Sequence, residues 1–382
     1  MNKYLVHRIL IPFLLGLILV SIVGGAVLTR QSASLALKDL AQKKRQALQA
    51  GLEEEWSTKS VKIGDKVMKF DYRTFGEKPA AGWDFYISMH GGGGAPAHVN
   101  ESQWRNQIRL YQPPNSIYLA PRAPTNTWNL WHQSHIDGFF ERLILGAVMV
   151  KGINLDRVYI MGYSAGGDGV YQLAPRMADR LAAASMMAGH PNNASPLGLR
   201  NIGFTIHVGE LDGGYKRNKV AMDWGMKLAA LRKGDPNGYA HKVKLHKGMG
   251  HWMKLRDAEA IDWMSMFTRN PVPKRVVWKQ AGVTKPAFYW LAAPKDHVKA
   301  GASVIAEREG QVIRILEAHG TEKLTVLLDD RMLDLDKEVT ISRDGQILFR
   351  GRVERKLETL SRTLNERHDP RLSFSAEVTV DI

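Results

Sequence analysis

The sequence predicts an α/β chain: a doubly wound, mostly parallel sheet, a smaller β-rich domain after it, and a hydrophobic segment before it. Three observations predict this. Short apolar runs alternate with amphipathic stretches between about residues 60 and 270. One of those runs, Val158–Met161, breaks abruptly into the turn Gly162-Tyr163-Ser164-Ala165-Gly166. After Asn270-Pro271-Val272-Pro273 the texture changes to short alternating segments punctuated by turn residues.

Taken in order, Lys3 and Arg8 precede an apolar run from Ile9 to Leu28. About twenty apolar residues are just enough to cross a bilayer. Residues 1–30 are therefore read as a membrane anchor, or as a signal peptide cleaved near Gly24-Gly25-Ala26. Both readings export the chain, to the outer side of the inner membrane, the periplasm or the medium. Residues 31–57 read as a charged helical spacer from the membrane. In the main domain, 58–272, the runs 84–89, 116–121, 158–161, 182–189 and 204–208 read as buried strands. Residues 139–150 read as a helix, and Asp257 opens the last helix before the Asn-Pro boundary. In the domain 273–382, the runs 302–309, 311–318, 323–330 and 373–380 read as strands. Asp344-Gly345 reads as the two-residue turn of a hairpin, and a helix over 354–366 completes a β-sandwich-type module.

Composition narrows the chemistry. The 382 residues include no cysteine, which excludes disulfides, thiol nucleophiles and thiolate-bound metals. No His-x-x-x-His pair with a carboxylate stands at helical spacing, so no metal or cofactor is expected. Of the net charge of +15, +10 lies between residues 31 and 270. No groove-reading motif or aromatic-interleaved basic stripe accompanies it, and no nucleic-acid partner is expected.

Ser164 is the candidate nucleophile, because a serine on a strand-to-helix turn is exposed at the sheet edge. A serine hydroxyl needs a base and an orienting acid. His251 follows the half-buried strand around Val243 and Leu245, on the loop Gly248-Met249-Gly250; His246 continues that strand and reads as structural. Asp212 lies just beyond the run Phe204–Val208, with Glu210 as the rival carboxylate. The run ending at Met89 is followed by His90 and four glycines, Gly91 to Gly94, whose amides can approach a substrate oxygen without side-chain obstruction. Trp128, Trp131 and His132, with His90, are candidate pocket residues, and Asp168 and His190 lie near the turn.

These stretches, His90–Gly94, Gly162–Tyr171, Ala188–Asn192, Val208–Asn218 and Gly248–Met253, resemble the α/β-hydrolase family over about residues 60–270. They are most similar to bacterial serine esterases, polyhydroxybutyrate-depolymerase-like proteins and uncharacterised α/β hydrolases. The resemblance implies a Ser164–His251–Asp212 triad. It also implies an oxyanion hole made by the amides of Ala165 and of Gly91 or Gly92. The reaction implied is hydrolysis of a carboxylic ester, polymeric esters included, through an acyl-enzyme. A peptidase of the prolyl-oligopeptidase type and an inactive hydrolase fold used for binding are the alternatives.

Overall fold

The computed structural model describes residues 27–382. At its centre is an eight-stranded sheet of β1 (Ser60–Ile63), β2 (Lys66–Phe75), β3 (Trp83–Met89), β4 (Ser116–Arg122), β5 (Ile153–Tyr163), β6 (Ala183–Met187), β7 (Gly203–Gly209) and β8 (His241–His246). The spatial order is β1-β2-β4-β3-β5-β6-β7-β8. From β4 to β8 every neighbouring pair is parallel. The hairpin β1–β2 adds antiparallel to the β4 edge. Strands β6 and β7 are buried at every residue, as expected of inner parallel strands covered on both faces. The parallel strands direct their carboxyl ends to one edge, where the loops bearing Ser164, Asp212 and His251 gather.

The helices are α1 (Arg30–Thr58), α2 (Ala97–Leu110), α3 (His135–Gly146), α4 (Ala165–Arg176), α5 (Arg217–Gly234), α6 (Glu259–Ser265) and α7 (Leu357–Arg367). Helix α3 starts four residues earlier than the sequence suggests and ends in a wider turn, Ala147–Lys151. The segment after Asp257 is a short turn that continues into α6.

The expected anchor or signal lies outside the described residues except for its last few. Val27 and Leu28 pair antiparallel with Arg355 and Lys356, and Arg30 opens α1. Among the described residues, no helix is long and apolar enough to cross a membrane. The expected spacer is helical but does not stand off. At its amino end Thr29 forms a capping box with Ser32, and Arg30 pairs with Asp330 and Asp334, each at 3.1 Å. At its carboxyl end Trp56 is buried with its ring centroid 5.2 Å from Phe70 and 5.1 Å from Tyr72. The helix is a strap docked on both parts of the molecule. Its charged surface hid this, because only Ala33, Leu52 and Trp56 are fully buried.

The C-terminal part contains β9 (Arg275–Lys279), β10 (Ala287–Phe288), β11 (Leu291–Ala292), β12 (Ser303–Glu309), β13 (Val312–His319), β14 (Lys323–Leu328), β15 (Val339–Arg343), β16 (Gln346–Gly351) and β17 (Ala376–Asp381). They form a five-stranded sheet, β9-β12-β13-β15-β16, and a four-stranded sheet, β10-β11-β14-β17. Trp278 of the first stacks on Phe288 of the second at 6.4 Å. Asp344 and Gly345 both have positive φ, 49° and 81°, as a two-residue hairpin turn between β15 and β16 requires.

One apolar core runs from Trp56 and the main sheet through Leu199, Tyr289 and Trp290 to Val380. Buried charge reinforces the junction. Arg269 donates to Asp156 at 2.9 Å and to Asp369 at 2.6 Å, and its side chain is 1% exposed. Removing Asp369 leaves buried Arg269 with one carboxylate, Asp156, and buried Arg180 with only Glu141 at 3.9 Å. Asp369→Ala is therefore expected to lower stability by about 3–5 kcal/mol. Urea unfolding curves of the variant and the native chain measure this.

Candidate active site

Ser164 stands between β5 and α4 with φ 57° and ψ −121°, a conformation that L side chains rarely adopt. Holding a residue there costs on the order of 1–3 kcal/mol. The turn is fixed on both sides: Ser164 N–H donates to Met187 O at 2.9 Å, and Asp168 N–H donates to Ser164 O at 3.0 Å. The chain crosses itself so closely that a Cβ on Gly162 would lie 2.2 Å from Gly166 O, and one on Gly166 would lie 2.1 Å from Met89 O. The Gly-x-Ser-x-Gly spacing is thus a packing requirement of this turn.

The structure brings the other two expected side chains to the serine. Ser164 Oγ lies 3.0 Å from His251 Nε2, and His251 Nδ1 lies 2.8 Å from Asp212 Oδ2. With Nδ1–H donating to the carboxylate, Nε2 presents its lone pair to the serine hydroxyl. Asp212 is buried, and Arg217 Nη1 stands 3.6 Å from its other oxygen. Glu210, the rival carboxylate, hydrogen-bonds neither His251 nor Ser164. Its Oε2 accepts from Gly248 N–H at 2.8 Å, so it anchors the loop that carries His251. Sequence reasoning missed Tyr163. Its hydroxyl donates to His251 O at 2.5 Å and accepts from Met253 N–H at 3.0 Å, which fixes the imidazole's backbone from below.

The glycine loop lies over the turn. A Cβ on Gly91 would be 3.2 Å from Ser164 Cβ, and one on Gly93 would be 3.6 Å from Ala165 Cβ. Gly92 has φ 108°, and a Cβ there would meet Asn100 Oδ1 at 2.1 Å. Asn100, buried on α2, is the second residue sequence reasoning missed. Its Oδ1 accepts from Gly93 N–H at 3.0 Å, and its Nδ2 donates to Gly93 O, Ala95 O and Asn126 Oδ1 at 3.0–3.1 Å. Gly93's amide is thereby occupied, while Gly91 stands against the serine. Nothing in the α2 sequence signals this role; a buried polar residue on a helix shows itself only in three dimensions.

Two expected pocket residues are corrected. His90 is fully buried beneath the loop: it accepts from Ala123 N–H at 3.2 Å through Nε2, and its Nδ1 bonds Gly91 O at 2.5 Å. Trp131 is also fully buried, with Nε1–H donating to His90 O at 3.0 Å. Both support the loop and line no substrate surface. Trp128 is 64% exposed beside Gly94, with His132, half-buried, edge-on to its ring. Asp168 accepts from His190 N–H at 2.7 Å, and burial raises its carboxyl pKa to about 6. A cavity of about 770 Å³ lies elsewhere, between α3, the segment 285–298 and α7, and touches none of the triad residues.

Neither a family model nor a curated protein matches the chain. Among solved structures, a thermostable esterase is 17% identical with a TM-score of 0.41, covering 55% of this chain and 62% of its own. The LpqC poly(3-hydroxybutyrate) depolymerase from Bordetella parapertussis is 13% identical with a TM-score of 0.41, covering 54% of this chain and 86% of its own. Esterase 2 of Thermogutta terrifontis is 15% identical with a TM-score of 0.38, covering 54% of this chain and 89% of its own. With the first of these the match spans less than two thirds of the esterase's length.

Two outcomes are expected. Asn100→Ala leaves the buried Gly93 amide without its acceptor and should lower stability by about 1–3 kcal/mol; urea unfolding curves measure this. Stability also depends on pH through buried histidines. Burial lowers the pKa of His90 and His207 to about 3, and of His132 and His368 to about 4. The unfolded chain takes up these protons near pH 6.5, whereas the folded chain does so only near pH 3–4. Stability is therefore lost as pH falls from about 6.5 toward 3, and urea midpoints measured across that window should decline.

Proposed function

We propose that the protein is a serine hydrolase of carboxylic esters. The observation that carries this reading is the relay from Ser164 Oγ through His251 to Asp212, at 3.0 and 2.8 Å. In the proposed cycle His251 Nε2 takes the hydroxyl proton as Ser164 attacks the ester carbonyl. Asp212 holds the imidazole in the required tautomer and stabilises its charge. The amides of Ala165 and of Gly91 or Gly92 receive the developing oxyanion. His251 then returns the proton to the leaving alcohol. Water, activated by the same imidazole, breaks the acyl-enzyme at its carbonyl carbon and regenerates the serine.

The substrate class follows from the surroundings. Trp128, Leu211, Tyr215 and Trp252 lie on the loops around the triad and are between 47% and 79% exposed. An open apolar rim suits an ester carried on a large or polymeric body better than a small molecule enclosed in a cleft. The depolymerase among the structural neighbours is named for a polyester, which fits the same class. We also propose export, from the basic residues and apolar run of the N-terminal segment. Whether that segment is retained or cleaved is read by sequencing the amino terminus of the mature protein.

Ser164→Ala, His251→Ala and Asp212→Ala should each lower turnover of an activated aryl ester by at least about a thousandfold, without adding in combination, because the three act as a unit. Glu210→Ala should keep most of the activity. Full activity of Asp212→Ala would overturn the assignment. An inactive native protein across esters of graded acyl length and a soluble polyester would favour the binding reading.

A further inference from the structure

Strands β7 and β8 carry the loops that hold Asp212 and His251, and each bears, five residues upstream of that residue, a histidine the triad does not use. His207 Nδ1 lies 3.1 Å from His246 Nε2. Glu259, the first residue of α6, brings Oε1 to 3.8 Å from His207 Nδ1. The three donor atoms lie within 4.8 Å of one another.

We propose that His207, His246 and Glu259 form a binding site for a divalent transition-metal cation, with zinc as its best match. The argument rests on three features. First, Glu259 Oε1 is buried and has no hydrogen-bond partner. A neutral bond between the two imidazoles leaves that oxygen desolvated and without a hydrogen bond, its nearest cation Lys244 Nζ at 4.0 Å, whereas a bound metal takes all three lone pairs. Second, His207 Nε2 lies 3.0 Å from Thr205 Oγ1. With Nε2–H donated there, Nδ1 turns its lone pair into the site, as the outer partners of metal-bound histidines typically arrange. Third, the donor spacing is near what zinc needs. Zinc bonds of about 2.0–2.1 Å in tetrahedral geometry put donor atoms about 3.3 Å apart, against 3.1 and 3.8 Å for two of the pairs here and at most 4.8 Å for the third.

Two imidazoles and one carboxylate leave a fourth position for water. The opposing charges are Lys242, 3.9 Å from Glu259 Oε2, Lys244, 4.0 Å from Oε1, and Arg256, whose charge acts on His246. Both lysines are partly exposed and free to swing toward water. A bound cation would clamp β7 to β8 directly beneath the acid and base loops. The residues come from two strands and a helix, so no spacing rule in the sequence reveals them.

The test is zinc content of the full-length chain after incubation with zinc chloride and gel filtration, at pH 7.5. It reads binding without turnover, so it is independent of the proposed esterase activity. The native chain should retain one equivalent and show a raised thermal midpoint, and His251→Ala, which removes the triad histidine, should retain it too. Glu259→Gln should weaken binding at least about tenfold, and Thr205→Val, which alters only the outer partner, about 10–100-fold. Both substitutions are nearly isosteric, and circular dichroism verifies that each variant is folded. The proposal is overturned if the native chain retains no zinc. It is equally overturned if zinc is lost in His251→Ala and kept in both Glu259→Gln and Thr205→Val.

Discussion

The conformation of one residue governs this molecule. Ser164 is held at φ 57° where β5 turns into α4, and this is possible only because Gly162, Gly166 and Met89 meet at backbone distance. The strain is stabilised by the buried strands on either side and by a bond from the serine amide to the end of β6. It projects the hydroxyl from the carboxyl edge of the sheet at the start of a helix, where the adjacent amides favour negative charge. Everything else at that edge is arranged around this point.

The supports differ in kind. The base loop is tied by Tyr163 from below and by Glu210 from the side. The glycine loop, which has no side chains of its own to pack, is held by Asn100 and rests on His90 and Trp131. The side chain of Asn100 takes both the amide and the carbonyl of Gly93, which supplies the packing that the glycines lack. Burial keeps these contacts away from competing water, and it also makes His90 a neutral structural group.

The sequence made the turn, the loops that carry Ser164, Asp212 and His251, the parallel strands and the Asp344-Gly345 hairpin legible, because each is encoded within a few residues. Periodicity, glycine spacing and turn chemistry are local signals. The same local reading placed Trp131 and His90 in a pocket, since an aromatic on a loop near an active edge looks alike whether it faces substrate or core. Asn100 bonds the glycine loop from only seven residues along the chain, and the Tyr163 hydroxyl bonds His251 O from 88 residues away, yet neither left a trace in pattern. The docking of α1 was hidden for a related reason: Arg30 and Trp56 fasten its ends, Lys44, Arg45 and Glu55 bond Leu364, Met149 and Arg142 between them, and charged residues in a helix read as solvent-exposed. Asp212 was separable from Glu210 only when the loop's path became visible.

The central claim is that Ser164, and no other residue, is an activated nucleophile. Intact-protein mass spectrometry after exposure to a fluorophosphonate, followed by peptide mapping, tests it most directly. The account predicts a single phosphonyl adduct on Ser164 in the native protein, greatly slowed in His251→Ala and absent in Ser164→Ala. No adduct on the native protein, or one on a different residue, would contradict it.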